Sequence, residues 1–480
     1  MKTLKISLVA LLFVFCGKVF SQGGSIGASD ARSMGMAKTY TASSFGLYSL
    51  GINPANLYRD STKKVELIIP LPLPNITANV GTNFMTIDEY NYFFGYSTTD
   101  STGKKIGRYL NTADKQRLKD LFADGGTFTS DLEVRLFAVS VKPNDKFGTI
   151  AFSISDVISS NVTFPKGIID LGIDGNLPNK VFNFNDTALK SWWLRKYSLS
   201  YARGLDIFPF FKSFSFGVSF NIISGYAYAG LDHVNTQLTT GDGNVITGKG
   251  DFLAYSAFSP DFHVKYDFDS TSTKQDASVS MFPTPAGGGF GFDFGFNAKI
   301  SESTSIAFAV TDIGSVTWDK NAAQYSSNKA IYLDDLSNKD QIDSLKNALT
   351  GKNGGKYISS FSTPLATALR LGIAIQLDKM LDGNFPGKML LAFDYNQGFN
   401  DQPRNSKNPR FSLGADWMLG VIALRTGFSF GGFDKFNWGM GIGFDFKILE
   451  LNFGTPDMQY VFASNSAKRI TFAFDSRWKF

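Results

Sequence analysis

The sequence predicts an all-β chain that closes into a transmembrane antiparallel β-barrel of about 14 strands. Three observations point there. Apolar and polar side chains alternate residue by residue along most of the length, the alternating runs outlast ordinary soluble strands, and phenylalanine carries the load that aliphatic residues carry in a soluble core. Of 480 residues, 47 are Phe and 47 are Gly, against 2 His and 1 Cys.

The stretch "GGGFGFDFGFNAKI" shows the alternation most fully. Phe290, Phe292, Phe294, Phe296, Ala298 and Ile300 share one parity, while Gly291, Asp293, Gly295, Asn297 and Lys299 share the other. Successive strand residues point to opposite faces, so one face is greasy and the other polar. The same design recurs at 213–228, 365–377 and 436–447, and in weaker form at 65–71, 132–142, 147–156, 193–203, 262–268, 304–317, 388–396, 410–418, 421–430 and 449–457. The closing segment sets Ile470, Phe472, Phe474, Trp478 and Phe480 against Thr471, Asp475, Arg477 and Lys479, interrupted by Ser476. These make fifteen candidates. Bacterial single-chain barrels have even strand numbers, so one candidate is superfluous or one strand is missing.

The greasy face needs a solvent. A crossing of about 9–11 residues fits a bilayer, and closure leaves no unpaired backbone in hydrocarbon. Aromatics near strand ends (Tyr226, Tyr228, Trp438 and Trp478) are expected as an interfacial girdle. The segments between strands sort by length. The links at 381–387 and 416–422 are expected on the periplasmic side, and the polar stretches 83–130, 232–251, 269–287 and 319–361 are expected as extracellular loops. Two loops carry helix signals, capped by Thr112 in one and by Ser337 or Asp340 in the other.

The first residues set the compartment. Lys2 and Lys5 precede an apolar run from Ile6 to Phe15, and small Ser21 offers a cleavage position, so residues 1–21 read as a signal peptide. Cys16, the only cysteine, falls inside it, which removes disulfides and cysteine–zinc sites from the remainder. Beyond it no apolar run is long enough for a membrane helix. With Lys2, Lys5 and Lys18 gone the charge is near neutral and interspersed, unlike a nucleic-acid footprint.

Before the first strand stands "GASDARSMGMAKTYTASSFGLYSLGINPANL". Its Ala31, Arg32, Gly35, Ala37, Asn53, Pro54, Ala55 and Leu57 resemble the N-terminal segment of the outer-membrane fatty-acid-transporter (FadL-like) superfamily, and within it the PorV-type barrels and uncharacterised relatives from gliding-type bacteria. Asn56 stands where the superfamily has Gly. The resemblance implies a fourteen-stranded barrel with residues 22–62 folded inside the lumen as a plug and residues 63–480 forming the wall and its loops. The aromatic terminus, Phe474, Trp478 and Phe480, resembles the signal that such barrels present to the barrel-assembly machinery.

Chemistry is sparse. "GFSFG" matches G-x-S-x-G, but Ser429 sits mid-strand between Phe428 and Phe430, where a hydrolase serine occupies a strand-to-helix turn. His233 and His263 are the available partners, and His263 is placed toward the lumen beside Asp261 and Lys265. No enzyme activity, cofactor or metal is expected. The reading is an integral outer-membrane barrel, in contact with lipid, acting as an accessory subunit of a protein export or assembly machine with other envelope proteins as partners. The alternative is a conduit for a hydrophobic ligand, and a lipid hydrolase comes last. The polar inward parity counts against the conduit.

Overall fold

The computed structural model describes residues 27–58, 63–99, 101–175, 177–269, 280–335, 338–350, 354–381, 385–432 and 436–480. The expected signal peptide, Cys16, the first residues of the plug segment, Ser337 and the centre of the 381–387 link lie outside them.

Alternation becomes a ladder wherever both neighbours offer backbone partners. The wall is built from β1 (Val65–Ile68), β2 (Asn75–Thr82), β3 (Gly126–Asn144), β4 (Gly148–Phe164), β5 (Ala188–Gly204) and β6 (Ser213–Val234). Two-stranded cover at the open end comes from β7 (Ile246–Phe258). The wall continues with β8 (Gly287–Lys299) and β9 (Thr304–Trp318), after which β10 (Ala323–Leu333) returns to pair with β7. Then come β11 (Phe361–Pro364), β12 (Ala368–Gln376), β13 (Lys388–Gly398), β14 (Arg410–Leu419), β15 (Ile422–Gly431), β16 (Phe436–Asp445), β17 (Leu449–Thr455) and β18 (Arg469–Lys479). Segments β1 and β2 share one position in the wall, as do β11 and β12, and β18 pairs with β17 on one side and β1–β2 on the other. The result is a closed barrel of 14 antiparallel strands.

One of the fifteen candidates is not a strand. Residues 262–268 begin on the short turn Pro260–Phe262, and His263 takes a left-handed φ of 48°, which no ladder accepts. The alternating rings are satisfied by packing instead. Phe262 stacks on Trp193, and Tyr266 and Phe268 pack with Tyr325 and Tyr357. The expected loops 232–251 and 269–287 therefore belong to one excursion between β6 and β8, and β7 lies within it. Asp261 accepts from the Thr284 amide at 2.6 Å, so the His263 region sits in this excursion and not in the lumen.

The outer face is as expected: Phe290, Phe292, Phe294 and Phe296 are exposed, whereas Gly291, Asp293, Gly295 and Asn297 are buried inside. Tyr226 and Tyr228 depart from the expected girdle. The β5–β6 register slips between Trp193 and Leu194, and this bulge reverses the parity beyond Tyr226, so Tyr228 turns inward, while Tyr226 is buried against Trp193 and Arg195. The links after β3, β5, β8, β12, β14 and β16 fall at one end of the barrel, where Phe480 and Val65 also exchange backbone hydrogen bonds. The long excursions fall at the other.

These excursions carry α2 (Ile87–Phe94), α3 (Thr112–Leu121), α4 (Lys166–Asp174) and α5 (Lys339–Thr350), following α1 (Ala31–Gly35) of the N-terminal segment. Asn111 caps α3 in place of Thr112, its side chain accepting from the Asp114 amide. Asn338 accepts from the Asp340 and Gln341 amides at the start of α5, and Asp340 lies within the helix.

Ser476, the residue that breaks the closing alternation, is explained by the gap between β1 and β2. Pro70, Pro72 and Pro74 carry no amide hydrogen there. Ser476 Oγ donates to the Leu73 carbonyl at 2.6 Å, its amide donates to Asn75 Oδ1 at 2.7 Å, and Trp478 Nε1 donates to the Leu71 carbonyl at 2.8 Å.

Candidate functional site

Residues 27–58 lie inside the lumen. A short segment with little regular structure brings many backbone amides that no helix or sheet satisfies, and buried amides need partners. Part of the answer is local. Asp30 and Ser33 form a reciprocal cap on α1, and Asn53 accepts from the Ala55 amide with Pro54 opening the turn Pro54–Leu57.

The rest comes from carboxylates on the wall. Asp394 accepts from the Tyr40 and Thr41 amides at 2.6 and 2.7 Å, Asp475 from Ala31 at 2.7 Å, Glu66 from Leu47 at 2.8 Å, and Glu133 from Ser29 at 3.0 Å. Such charge-assisted bonds are the strong ones, and Glu66, Glu133 and Asp475 each have a further side-chain partner. Arg477 joins Glu450 at 2.6 Å and Glu66 at 3.2 Å, its guanidinium lying 4.2 Å over the Tyr48 ring. Arg404 meets Glu133 at 2.7 Å, and Asp475 also receives Tyr48 Oη and Asn452 Nδ2.

The motif residues of the N-terminal segment are all buried. Arg32 reaches Asp416 at 2.7 Å and covers the Phe45 ring at 4.2 Å. Ala31 and Gly35 bring α1 against the wall. A side chain at Gly454 would meet the Ala31 carbonyl at 2.2 Å, and one at Gly35 would meet Gly441 at 3.0 Å. Asn53 donates to the Phe296 carbonyl at 3.1 Å, and Leu57 packs with Ile68, Ala138, Ala151 and Ala202. Ala55 is buried over Gly217, where a Cβ would come within 2.3 Å of its amide. Asn56, the departure from the superfamily pattern, donates to the Thr41 carbonyl and Ser44 Oγ, both at 2.8 Å. Sequence reasoning missed the wall carboxylates. Their signal was present as acidic residues at inward parity in otherwise small-residue strands.

Burial, with Asp475's charge beside it, pushes the Asp30 carboxyl up to about 7. Lys38, buried near Arg404 and Arg410, is pushed down.

Above the plug the lining changes. Trp192, Leu194, Tyr228, Trp318 and Leu365 form one buried apolar cluster, against which Tyr255 and Phe361 pack. Tyr228 lies 5.4 Å from both Trp318 and Phe361, and Tyr255 stacks on Phe361 at 5.0 Å. Trp318 Nε1 donates to Thr363 Oγ1 at 2.9 Å. Between this column and the plug lies a cavity of ≈ 70 Å³ whose lining includes Gly27, Leu50, Trp192, Leu365, Asp293 and the Lys196–Asp312 ion pair. The polar lumen expected from parity is thus aromatic at the long-loop end, because the bulge at Trp193 turns Tyr228 inward.

The remaining candidates do not assemble into a catalytic arrangement. Ser429 lies on a regular ladder opposite Ser412 and Asn437. His233 lies 3.5 Å from Asp251. Phe474, Trp478 and Phe480 lie on the outer face of β18 and its end, Trp478 stacked on Phe480 at 6.5 Å.

The description "Family of unknown function (DUF5723)" belongs to the family that matches residues 61–455. No curated protein matches the chain. Among solved structures it is similar to the toluene transporter TbuX of Ralstonia pickettii, at 12% identity and TM-score 0.45, covering 95% of this chain and 99% of that one. It is similar to the toluene transporter TodX of P. putida with the same four values. A Pseudomonas aeruginosa FadL homologue matches at 12% identity and TM-score 0.46, with 95% and 100% covered. A link to PorV-type barrels is not shown.

Proposed function

The chain belongs to the DUF5723 family of unknown function, and for it we propose an outer-membrane conduit for hydrophobic small molecules, held shut by its own N-terminal segment. The observation that carries this reading is the aromatic column. A barrel that passes ions or sugars keeps its inward parity polar, whereas here Trp192, Tyr228 and Trp318 turn inward above the plug. Apolar lining with a few fixed polar groups is what binds small apolar ligands. The Lys196–Asp312 pair and Asp293 at the foot of the column supply those groups. The plug below fills the lumen, so passage requires that its wall contacts give way. An accessory role at an export machine has no such observation in its support, and it is set aside.

The test is uptake of radiolabelled toluene and of a long-chain fatty acid into proteoliposomes holding the folded chain. The expected result is a severalfold gain over empty vesicles for at least one probe, reduced to near background by Trp318→Arg. Uptake no greater than in empty vesicles, with the barrel shown to be folded by heat-modifiable gel mobility, would sink the reading. Purification in mild detergent with a stoichiometric envelope protein would return the accessory role.

A further inference from the structure

Away from the lumen, the outer wall carries a second apolar hollow that the conduit does not use. At the long-loop end, Val80 of β2 pairs with Ile470 of β18, and both point outward, 62% and 65% exposed. Over them hangs α2. Its Phe93 is buried in the loop core with Phe84, Met85, Leu118 and Phe122, while Ile87, Tyr90 and Phe94 form an exposed stripe at spacings of three and four. Tyr90 and Phe94 are 58% and 56% exposed, their rings 5.7 Å apart. The helix is fixed in place. Thr86 and Glu89 form its capping box, and the Ile87 amide donates to the Ala467 carbonyl at 2.9 Å. Between helix and wall is a groove of ≈ 420 Å³, floored by Val80, Phe128 and Ile470, with Lys468 in its lining.

We infer that this groove holds an acyl chain of an anionic lipid of the outer leaflet. The inference rests on the membrane reading of the barrel and is independent of what passes through the lumen. Continuity identifies the occupant. Below the groove the same outward parity runs on through Phe472 to the phenylalanine band that faces acyl chains, so the groove is a pocket in an existing lipid interface. Its volume lies in the range of pockets that bury small ligands, roughly 300–1,000 Å³. Helices that turn one apolar face toward lipid lie at a membrane interface in this way. Lys468, in the groove lining with its Nζ 3.5 Å from the Asn83 carbonyl, brings the positive charge that matches a phosphate headgroup.

The full chain is tested in nanodiscs and by native mass spectrometry of the detergent-purified protein, with phosphatidylglycerol and phosphatidylcholine as probes. The wild type should retain one phosphatidylglycerol in preference to phosphatidylcholine. Val80→Trp, which fills the floor, should lower occupancy at least tenfold, and Lys468→Gln should equalise the two lipids. Phe94→Asp, outside the barrel wall, repeats the first test without touching strand pairing. Unchanged lipid occupancy in both Val80→Trp and Phe94→Asp, or retention only in a dimer or with a bound protein, overturns the inference. Hydrophobic uptake by Val80→Trp should equal that of the wild type, so failure here and failure of the conduit are read separately.

Discussion

At the residue scale, the plug is held by charges placed where a lone sequence shows only alternation. Asp30 illustrates the consequence. Its carboxyl caps α1 and is held near 7 by burial and by Asp475, so the docked state keeps a proton that the undocked segment loses near pH 4. Docking is therefore favoured at acid pH and weakens as pH rises from about 4 to about 7, levelling off above. Asp30→Asn keeps the cap and removes the titration. With a single reporter cysteine introduced by Ser43→Cys, maleimide labelling of the plug should match the wild type at pH 4 and be severalfold slower in Asp30→Asn at pH 8. Equal rates at both pH values would contradict the assignment. The motif residues Arg32 and Asn53 could be singled out from the sequence, but their partners Asp416 and the Phe296 carbonyl lie 384 and 243 residues away. No local pattern reveals such pairs.

At the element scale, the inward glycines of the wall become intelligible once the plug is seen against them. Gly217, Gly427, Gly439 and Gly454 each face plug backbone, at 2.2 to 2.6 Å from where a Cβ would stand. The plug is what crowds the interior at these positions. Gly217→Leu should leave the barrel folded while displacing the turn Pro54–Leu57, since overpacking costs about 1–3 kcal/mol. The measurement is conductance in planar bilayers, where the variant should open ion-permeable events that the wild type lacks. Strand boundaries were the less legible part. The alternation at 262–268 is as regular as that of true strands, yet its rings pack on Trp193 and Tyr325 and find no ladder. Periodicity reports which side chains are covered and not what covers them.

At the scale of the whole molecule, the outward phenylalanine band follows from parity and length alone, because it is fixed by one solvent on one side, and the same reading brings the strand count to within one. Two features escaped that logic. The bulge at Trp193 reverses parity midway along β6, and the excursion containing β7 and β10 builds a sheet beyond the barrel rim. The outward band makes its own prediction. Phe292→Arg, in the middle of β8, should lower unfolding free energy in vesicles by about 2–4 kcal/mol, whereas Phe292→Leu should cost less than about 1.5 kcal/mol, both read from urea titrations.

The proline-rich gap opposite Ser476 and Trp478 has a corollary for how the cylinder is completed. Along that joint the backbone of the first strand offers carbonyls and few amides, so the last strand docks there through a hydroxyl and an indole. A shift by a single residue would turn the indole and the hydroxyl, which share a face, toward the lumen together and away from these carbonyls. The seam thus works as a keyed latch, shutting only in one alignment and leaving a misaligned barrel unzipped.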